Sequence, residues 1–405
     1  MSPIAATFPS TLLQSMMQAS PPDASRLPQV VVDLEKLRYI NSGLGRFALH
    51  LGQELLGVAL GRFTPVLFLP PGAEGYFENQ SYVGKPVVRW QKESLQRSVR
   101  PLVQPFLKPS GISLWHATNQ HSKYLPMDDR VPVLLTIHDL NFLRDAPHNL
   151  PTERIDRQIA DVQARVDRAA AITTISAFVA EDVRSHVDLR GKPIHVVHNG
   201  MPPPPVASTV RPDFLPAGPF LFTVGNCLAH KNFHVLIDLL EHLPGRRLVI
   251  AGRKTTPYGQ LLENLIRQKS NTARVIMPGE VSDGDRQWLY EHCEAFLFPS
   301  LTEGFGFPVL EAMQCGKPVF MSRATSLPEI GGDCGFYFDS YDGQHMAGVF
   351  AAGMKLFQND PNFPDRCRRR ADSFTWRNAA EKYAALYETI CQGKVVAPPA
   401  NRPQP

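Results

Sequence analysis

The feature that most constrains the fold is an alternation of short apolar runs with helical patterns, which occurs twice along the 405-residue chain. The apolar runs are nearly continuous, as strands are when helices cover both faces of a parallel sheet. Examples are QVVVDL (29–34), PVLFLP (65–70) and PVLLTIHD (132–139), followed later by FLFTVG (220–225), RLVIAG (247–252) and AFLFPS (295–300). The sequence therefore predicts two doubly wound α/β domains of Rossmann-like type.

A proline-rich segment separates the two halves. Its four consecutive prolines can neither pair within a sheet nor continue a helix, so we interpret 201–219 as a linker. The predicted organisation is a flexible leader (1–28), a first domain (29–200), the linker, a second domain (220–373), a helix (374–392) and a disordered tail (393–405). Ligands of such folds bind beyond the carboxyl ends of the strands, which for two facing domains is the cleft between them.

Composition excludes several classes of protein. The net charge of +4 gives no global signal for binding nucleic acid. The six cysteines form no CxxC pair, which argues against a metal site or a disulfide framework and fits a reducing cytoplasm. The N-terminal residues lack the basic and apolar regions of a signal peptide, and no run reaches the roughly 20 apolar residues of a membrane span. We expect a cytoplasmic protein whose membrane contact is at most peripheral.

Charged residues follow three strands of the second half. Lys231 comes after FLFTVG, Arg253 follows RLVIAG, and Glu303 follows AFLFPS. A charged residue after one strand is usually just a solvated loop residue. Because the carboxyl ends of parallel strands share one edge, three such positions favour a common site.

The stretch FPSLTEGFGFPVLEAMQCGKPV (298–319) adds a second carboxylate. Pro308 suits the first position of a helix, and Glu311 then lies one turn in, with its side chain leaning back toward the helix start. The amides of a helix start favour an anion. A glutamate near a helix start is also favourable without any ligand, whereas Glu303 in a glycine-rich turn is harder to explain structurally.

Two features of the first half could face the same cleft. NSGLGRF (41–47) follows the first strand and opens a helix, with Gly43 and Gly45 at its start. His138 ends a central strand. A lone GxG is a weak signal, and a lone histidine is often structural.

Together these residues resemble the retaining glycosyltransferases of the GT-B fold, specifically family 4, whose hallmark is two glutamates separated by seven residues. TEGFGFPVLEAMQCGKPV (302–319) matches that pattern, and VVHNGM (196–201), VGNCLAHKN (224–232) and SLPEIGGDCGFYFD (326–339) look like family segments. The likeness runs from about residue 29 to 390. It implies an N-terminal acceptor-binding domain that faces a C-terminal nucleotide-sugar domain, and a final helix that crosses back to the first domain.

The resemblance assigns roles in binding the donor nucleotide. Lys231 and Arg253 would hold the diphosphate, Glu311 would accept hydrogen bonds from the ribose, and Gly45 would pack against the diphosphate from the other domain. The base would lie near the backbone of residues 275–281. One departure matters, because many relatives have an arginine where this chain has Asn226.

The resemblance also assigns roles around the donor sugar. Glu303 would lie beside the sugar, and amides around Phe305, Gly306 and Phe307 would contact its hydroxyls. His138 would lie near the reacting carbon. We expect a hexose, preferably mannose from GDP-mannose, to pass with retention to a hydroxyl of a glycan or lipid-linked acceptor in cell-envelope polysaccharide or lipopolysaccharide synthesis. No D-x-D-like site stands at the cleft positions, so we expect no metal cofactor.

Basic and apolar residues are interleaved in the segment 85–108 of the first domain. It is either a solvated helix face or a patch for an anionic lipid-linked acceptor or membrane surface. The basic residues of that patch are Arg89, Lys92, Arg97 and Arg100.

Three alternatives share this fold. A nucleotide-sugar 2-epimerase would need acid and base groups around the second sugar carbon, and a phosphorylase would need a phosphate or cofactor pocket. A non-catalytic partner subunit would have lost the motif carboxylates or the bases, which this chain retains.

Overall fold

The computed structural model describes residues 27–78, 80–87, 92–144, 151–269 and 273–394, apart from the side chains of residues 94 and 97. The predicted leader up to residue 26, Arg89 and the predicted tail from residue 395 lie outside the described residues. Within them, no helix is long and apolar enough to cross a membrane.

The first sheet has seven parallel strands in the order β3-β2-β1-β4-β5-β6-β7. Their apolar side chains are mostly buried, and Val30, Val31 and Val32 are fully buried, whereas Val83 of the edge strand is 47% exposed. The strands are β1 (Gln29–Asp33), β2 (Thr64–Leu69), β3 (Val83–Pro86), β4 (Ile112–Ala117), β5 (Val133–Ile137), β6 (Ala171–Thr174) and β7 (Ile194–Val196).

The second sheet has six parallel strands in the order β10-β9-β8-β11-β12-β13. In both sheets the chain starts at the centre, winds to one edge and returns to the other side, which confirms the predicted doubly wound fold. This reversal opens a crevice at the carboxyl ends of the central strands. The strands are β8 (Phe220–Val224), β9 (Arg247–Ala251), β10 (Val275–Gly279), β11 (Ala295–Phe298), β12 (Val319–Ser322) and β13 (Gly335–Phe338).

Helices cover both sheets and begin mostly at polar caps. Ser42, Ser176 and Thr375, for example, each accept a hydrogen bond from a backbone amide of the first turn, which satisfies a donor left free at the helix start. The helices are α1 (Gly43–Val58), α2 (Glu93–Val103), α3 (Thr152–Arg168), α4 (Ala177–His186), α5 (His234–Glu241), α6 (Pro257–Gln268), α7 (Asp283–His292), α8 (Phe307–Gln314), α9 (Leu327–Gly331), α10 (Gly343–Asn359), α11 (Phe363–Asp372) and α12 (Trp376–Cys391).

The last helix, α12, packs against the first sheet although it follows the second in sequence. The Tyr387 hydroxyl lies 2.7 Å from Nδ1 of His116 in β4, and the Tyr383 hydroxyl lies 3.1 Å from the Thr136 hydroxyl in β5. At the surface, Arg62 donates to Glu388 at 2.7 Å. These polar contacts, two of them buried, join the two halves of the chain.

Candidate active site

An open cavity of about 630 Å³ lies between the carboxyl ends of the two sheets. This volume is typical of a small-molecule site, for which about 300–1,000 Å³ is usual. The first domain lines it with the start of α1, and the second domain with the segments after β8, β9 and β10 and the start of α8. Residues used below are Gly43, Arg46, Asn226, Glu280, Asp283, Phe307 and Glu311.

Glu311 reaches the cavity from the first turns of α8. Gly306 has a φ of +124° and turns the chain into the helix, and Pro308 stands within its first two positions. Oε2 of Glu311 accepts a hydrogen bond from the Tyr290 hydroxyl at 2.7 Å. Burial, and then the nearby Glu311 carboxylate, raises the pKa of Tyr290 well above its usual value, so the phenol stays a donor. Tyr290 therefore fixes one carboxylate oxygen and leaves Oε1 toward the cavity.

Glu303 and Lys231 form an ion pair at the end of the second sheet. Lys231 Nζ lies 2.5 Å from Glu303 Oε1, and each side chain is only 15% exposed. The ammonium also lies 5.2 Å from the centre of the Phe298 ring. The turn that carries Glu303 is held by the Thr325 hydroxyl, which accepts from the Glu303 amide at 3.0 Å. The structure thus brings together two of the predicted site residues.

The Glu303 turn also touches the first domain, through Gly304. A Cβ at Gly304 would lie 2.4 Å from the His138 carbonyl oxygen, so only glycine permits this approach. The Ser176 hydroxyl donates to the Gly304 carbonyl at 2.9 Å, and the Thr302 hydroxyl donates to Asn141 Oδ1 at 2.6 Å. His138 and Glu303 are therefore neighbours across the cleft.

His138 is buried and neutral. Nε2 lies 2.8 Å from the Thr118 carbonyl, which can only accept, so Nε2 carries the proton and Nδ1 keeps a lone pair. Burial lowers the pKa of His138 to about 4, although the Thr118 hydrogen bond acts in the opposite direction. The Phe47 ring packs edge-on against the imidazole at 4.5 Å. This arrangement supplies a fixed, uncharged hydrogen-bonding group.

Of the remaining predicted residues of the second domain, only Phe307 is among the residues that line the cavity. Arg253 is exposed just beyond β9, and its carbonyl accepts from the Cys227 amide at 2.9 Å, which ties the loops after β8 and β9 together. Phe305 is buried with its ring 5.1 Å from Phe307, and Phe307 lines the cavity.

Gly45, which the resemblance assigned to the diphosphate, is not among the residues that line the cavity. Its amide donates to the Ser42 cap at 3.1 Å, and a Cβ there would lie 2.1 Å from the Tyr39 carbonyl oxygen. Gly43 lines the cavity instead. The reason is helical geometry, because residues two apart point to different sides of the helix. Sequence analysis also missed Arg46, although its place in the first turn after Gly43 was a visible signal.

A D-x-D sequence, Asp283-Gly284-Asp285, begins α7 beside the cavity. Asp283 and Asp285 belong to the first turn of α7, and Asp283 lines the cavity. Asp283 is paired with Arg286 at 3.0 Å, and Asp285 accepts from the Ser208 hydroxyl at 2.7 Å. In the described parts of the chain, no group of three or more histidines, cysteines and acids is arranged to hold a metal.

The basic patch of the first domain has fewer free charges than its sequence suggests. Arg100 is buried and is paired with Glu93, with Asp129 at 3.5 Å. Lys92 is half-buried, and the Arg97 side chain is among those not described. Three exposed residues of α2 and the turn after it are instead large and apolar: Leu95, Leu102 and Phe106 are 56%, 74% and 85% exposed.

Comparison with known families matches both halves of the chain. The family described as "Glycosyltransferase Family 4" matches residues 41–203, and the family described as "Glycosyl transferases group 1" matches residues 213–374. Together these ranges cover most of the chain, including every residue placed above at the cleft.

Several characterised proteins are similar. O-antigen chain mannosyltransferase B of Escherichia coli is 23% identical over 89% of this chain and 100% of its own length. The serotype-specific mannosyltransferase WbdA of Escherichia coli is 28% identical over 63% of this chain, which spans only 33% of that longer protein.

Solved structures share the fold. Sucrose-phosphate synthase from Thermosynechococcus elongatus superposes with a TM-score of 0.67 at 16% identity, over 91% of this chain and 100% of that one. Anabaena HepE in complex with UDP and glucose superposes with a TM-score of 0.62 at 16% identity, over 89% and 99% of the two chains.

Proposed function

The chain belongs to the family 4 glycosyltransferases of the GT-B fold, and from this premise we propose that it transfers mannose from GDP-mannose, with retention, to a hydroxyl of a glycan or lipid-linked acceptor. The process we propose is cell-envelope polysaccharide or lipopolysaccharide synthesis, as the names of the similar mannosyltransferases suggest. The observation that supports the proposal is the Glu303–Lys231 ion pair on a turn whose next residue, Gly304, closely approaches the His138 carbonyl of the first domain.

The nucleoside is assigned to the cavity. Glu311 Oε1 would accept from the ribose hydroxyls while Tyr290 retains Oε2. Glu280 is exposed on the same wall, just beyond β10. The Watson–Crick edge of guanine offers two adjacent N–H donors to a carboxylate, whereas uracil presents carbonyl oxygens on both sides of its one N–H. This chemistry favours GDP over UDP.

The diphosphate is assigned to Lys231 and Arg253. Charge develops on the leaving diphosphate as the glycosidic bond breaks, and fixed cations in a partly buried site stabilise that charge. Lys231 would share its ammonium between Glu303 and the phosphate. We propose that these cations act without a metal; a rate unchanged by a chelator would support this, and a rate restored only by a divalent cation would refute it.

The sugar is assigned to the space between Glu303 and His138. The bond from the anomeric carbon to the phosphate oxygen breaks and its electron pair stays on the diphosphate. The acceptor oxygen bonds to the same face of the anomeric carbon, and the acceptor proton passes to a phosphate oxygen. The Glu303 carboxylate would stabilise the oxocarbenium-like state, and Nδ1 of His138 would accept from a sugar hydroxyl.

The acceptor side is assigned to the first domain. We propose that the exposed Leu95, Leu102 and Phe106 act together as an apolar face on α2 and the following turn, which Lys92 precedes in sequence. Such a face, with basic neighbours, fits peripheral contact with an anionic membrane that carries a lipid-linked acceptor, at the cytoplasmic side of the plasma membrane. Sedimentation with vesicles that contain phosphatidylglycerol should exceed that with phosphatidylcholine and fall in L102D/F106D. Equal binding to both lipids would argue against this assignment.

The transfer reaction tests the whole proposal. GDP-mannose and a mannose-terminated acceptor should give a product whose new linkage is α by NMR, as in the donor; a β linkage would refute retention. Tighter binding of UDP than of GDP would overturn the donor assignment but leave the enzyme class intact. Incubation of GDP-mannose without acceptor separates the epimerase alternative, because an epimerase would convert the sugar and a transferase would not.

A further inference from the structure

Arg46 is the one cation that the first domain extends across the cavity toward the second domain, among the residues that line it. It belongs to the first turn of α1, which holds its backbone by the Ser42 cap. Its Nη2 lies 3.7 Å from Asp283 Oδ1 and its Nη1 lies 4.0 Å from Glu311 Oε1. Both acceptors belong to the second domain, so the guanidinium bridges the cleft.

These two ion pairs are weak, and their acceptors are already engaged. The distances exceed the 2.7–3.2 Å of a good hydrogen bond, and within the described residues the guanidinium makes no closer side-chain contact. Asp283 is paired with Arg286 at 3.0 Å, and Glu311 accepts from Tyr290 at 2.7 Å. A guanidinium has five N–H donors in a planar fork that fits a phosphate. Arg46 therefore has unused donors at the cavity assigned to the donor nucleoside.

The ribose would compete directly with Arg46. If the ribose hydroxyls donate to Glu311 Oε1, Arg46 loses one of its two acceptors. The same donor molecule brings phosphate oxygens next to the ribose, and these can accept from Arg46 instead. On the opposite wall, the residue that follows the turn after β8 is the neutral Asn226, which also lines the cavity. Position 226 therefore supplies no positive charge for binding phosphates.

We propose that Arg46 is a diphosphate ligand contributed by the first domain, and that its guanidinium moves from Glu311 and Asp283 to the phosphates when the donor binds. The donor would then be held by Lys231 and Arg253 from one domain and by Arg46 from the other. Donor binding thereby replaces a weak bridge between the domains with a charge-assisted one. This inference rests on the proposed function and identifies a positioning residue for the same reaction.

The test compares a ligand that has the diphosphate with one that lacks it. GDP and guanosine are measured by displacement of a fluorescent GDP analogue from wild type, R46A and R46K. A lost charge-assisted contact predicts that R46A binds GDP about tenfold or more weakly. Guanosine affinity should stay equal or rise, because Glu311 is then free of its cation. R46K should lose less GDP affinity than R46A, and R46Q replaces R46A if R46A does not fold.

Two further variants sharpen the result. R377A removes another half-exposed arginine with a 4.0 Å ion pair, to Glu54, outside the cavity, and should leave both affinities unchanged. N226R placed in the R46A background should restore GDP affinity by supplying the cation from the opposite wall.

An unchanged ratio of GDP to guanosine affinity in R46A, or equal losses for both ligands, would overturn the role of Arg46. A wild-type protein that binds neither GDP nor UDP would instead refute the proposed function. The two failures are therefore distinguishable in one set of measurements.

Discussion

The replacement of Glu311 by glutamine tests the assignment of the two motif glutamates. Tyr290 holds Oε2 at 2.7 Å, so Oε1 alone is available to the ribose. Glutamine has the same shape and keeps an acceptor for Tyr290, but it lacks the negative charge. A hydrogen bond to a charged group contributes about 1.5–3 kcal/mol and a neutral one about 0.5–1.5 kcal/mol, so each ribose hydrogen bond should weaken by about 1–1.5 kcal/mol.

That difference predicts a measurable loss of nucleotide affinity. The weakening of one ribose hydrogen bond should increase the Kd for GDP about tenfold, and the weakening of two should increase it up to about a hundredfold. Removal of the negative charge next to Arg46 would offset part of this, by no more than about 1 kcal/mol for a pair at 4.0 Å that is partly exposed. Isothermal titration calorimetry with GDP measures the effect, and Y290F, which removes only the orienting hydroxyl, should have an intermediate Kd.

Glu303→Gln is the matched comparison. It removes the partner of Lys231 and so frees a cation for the diphosphate. The Kd for GDP should therefore stay the same or fall, while kcat for transfer falls by at least tenfold because the carboxylate beside the sugar is lost. An E311Q variant that binds GDP as tightly as wild type, together with an E303Q variant that binds it weakly, would show that the two roles are reversed.

Three other substitutions test contacts at the cleft between the two domains. His138→Ala should lower kcat with little change in GDP affinity. Because the pKa of His138 is about 4 in the folded protein and 6.5 in the unfolded chain, His138 contributes stability that is full above about pH 6.5 and is lost as the pH falls toward 4. The melting temperature of the variant should therefore depend less on pH in that range than the melting temperature of the wild type. Gly304→Ala should separate the Glu303 turn from the His138 carbonyl and reduce transfer strongly. The control Gly348→Ala has open space around its added Cβ and should retain activity. Equal activity of the two variants would contradict the close approach of Gly304 to the His138 carbonyl. Glu329→Ala should lower the urea midpoint by the equivalent of about 1–3 kcal/mol, because this carboxylate accepts from the first amides of α4 and from His198 at 2.6 Å across the domains. Burial alone would raise the pKa of Glu329, but His198 and the amides hold that pKa below its usual value; the contribution is therefore present above about pH 4.5 and disappears in more acidic solution, where variant and wild type should converge.

Local features of the sequence were enough to predict the architecture. The fully buried Val30, Val31 and Val32 form the centre of the first sheet, as their continuous apolar run indicated. Pro308 and the glycines before it likewise define the start of the helix that carries Glu311. Strand alternation, caps and turns depend on neighbours within a few residues, and such neighbours are visible in the sequence.

Side-chain roles that depend on pairing were beyond the sequence. Arg100 was grouped with the surface cations, yet it is buried against Glu93. Asp283 and Asp285 are only two positions apart in sequence, but their side chains have separate partners. The sequence shows the same charged residue whether its side chain is solvated or ion-paired. Only the packing of the folded chain distinguishes the two cases.

The sequence by itself determined two parallel sheets, the cleft between them and the residues that follow each strand. The tertiary structure alone decided which of those residues meet across the cleft. His198 and Glu329, one from each domain, are 131 residues apart in sequence. Gly43 faces the cavity in place of Gly45, and Arg46 reaches the second domain. These contacts depend on how the two domains are oriented rather than on any local pattern, and α12, which packs against the first sheet, joins the two halves of the chain.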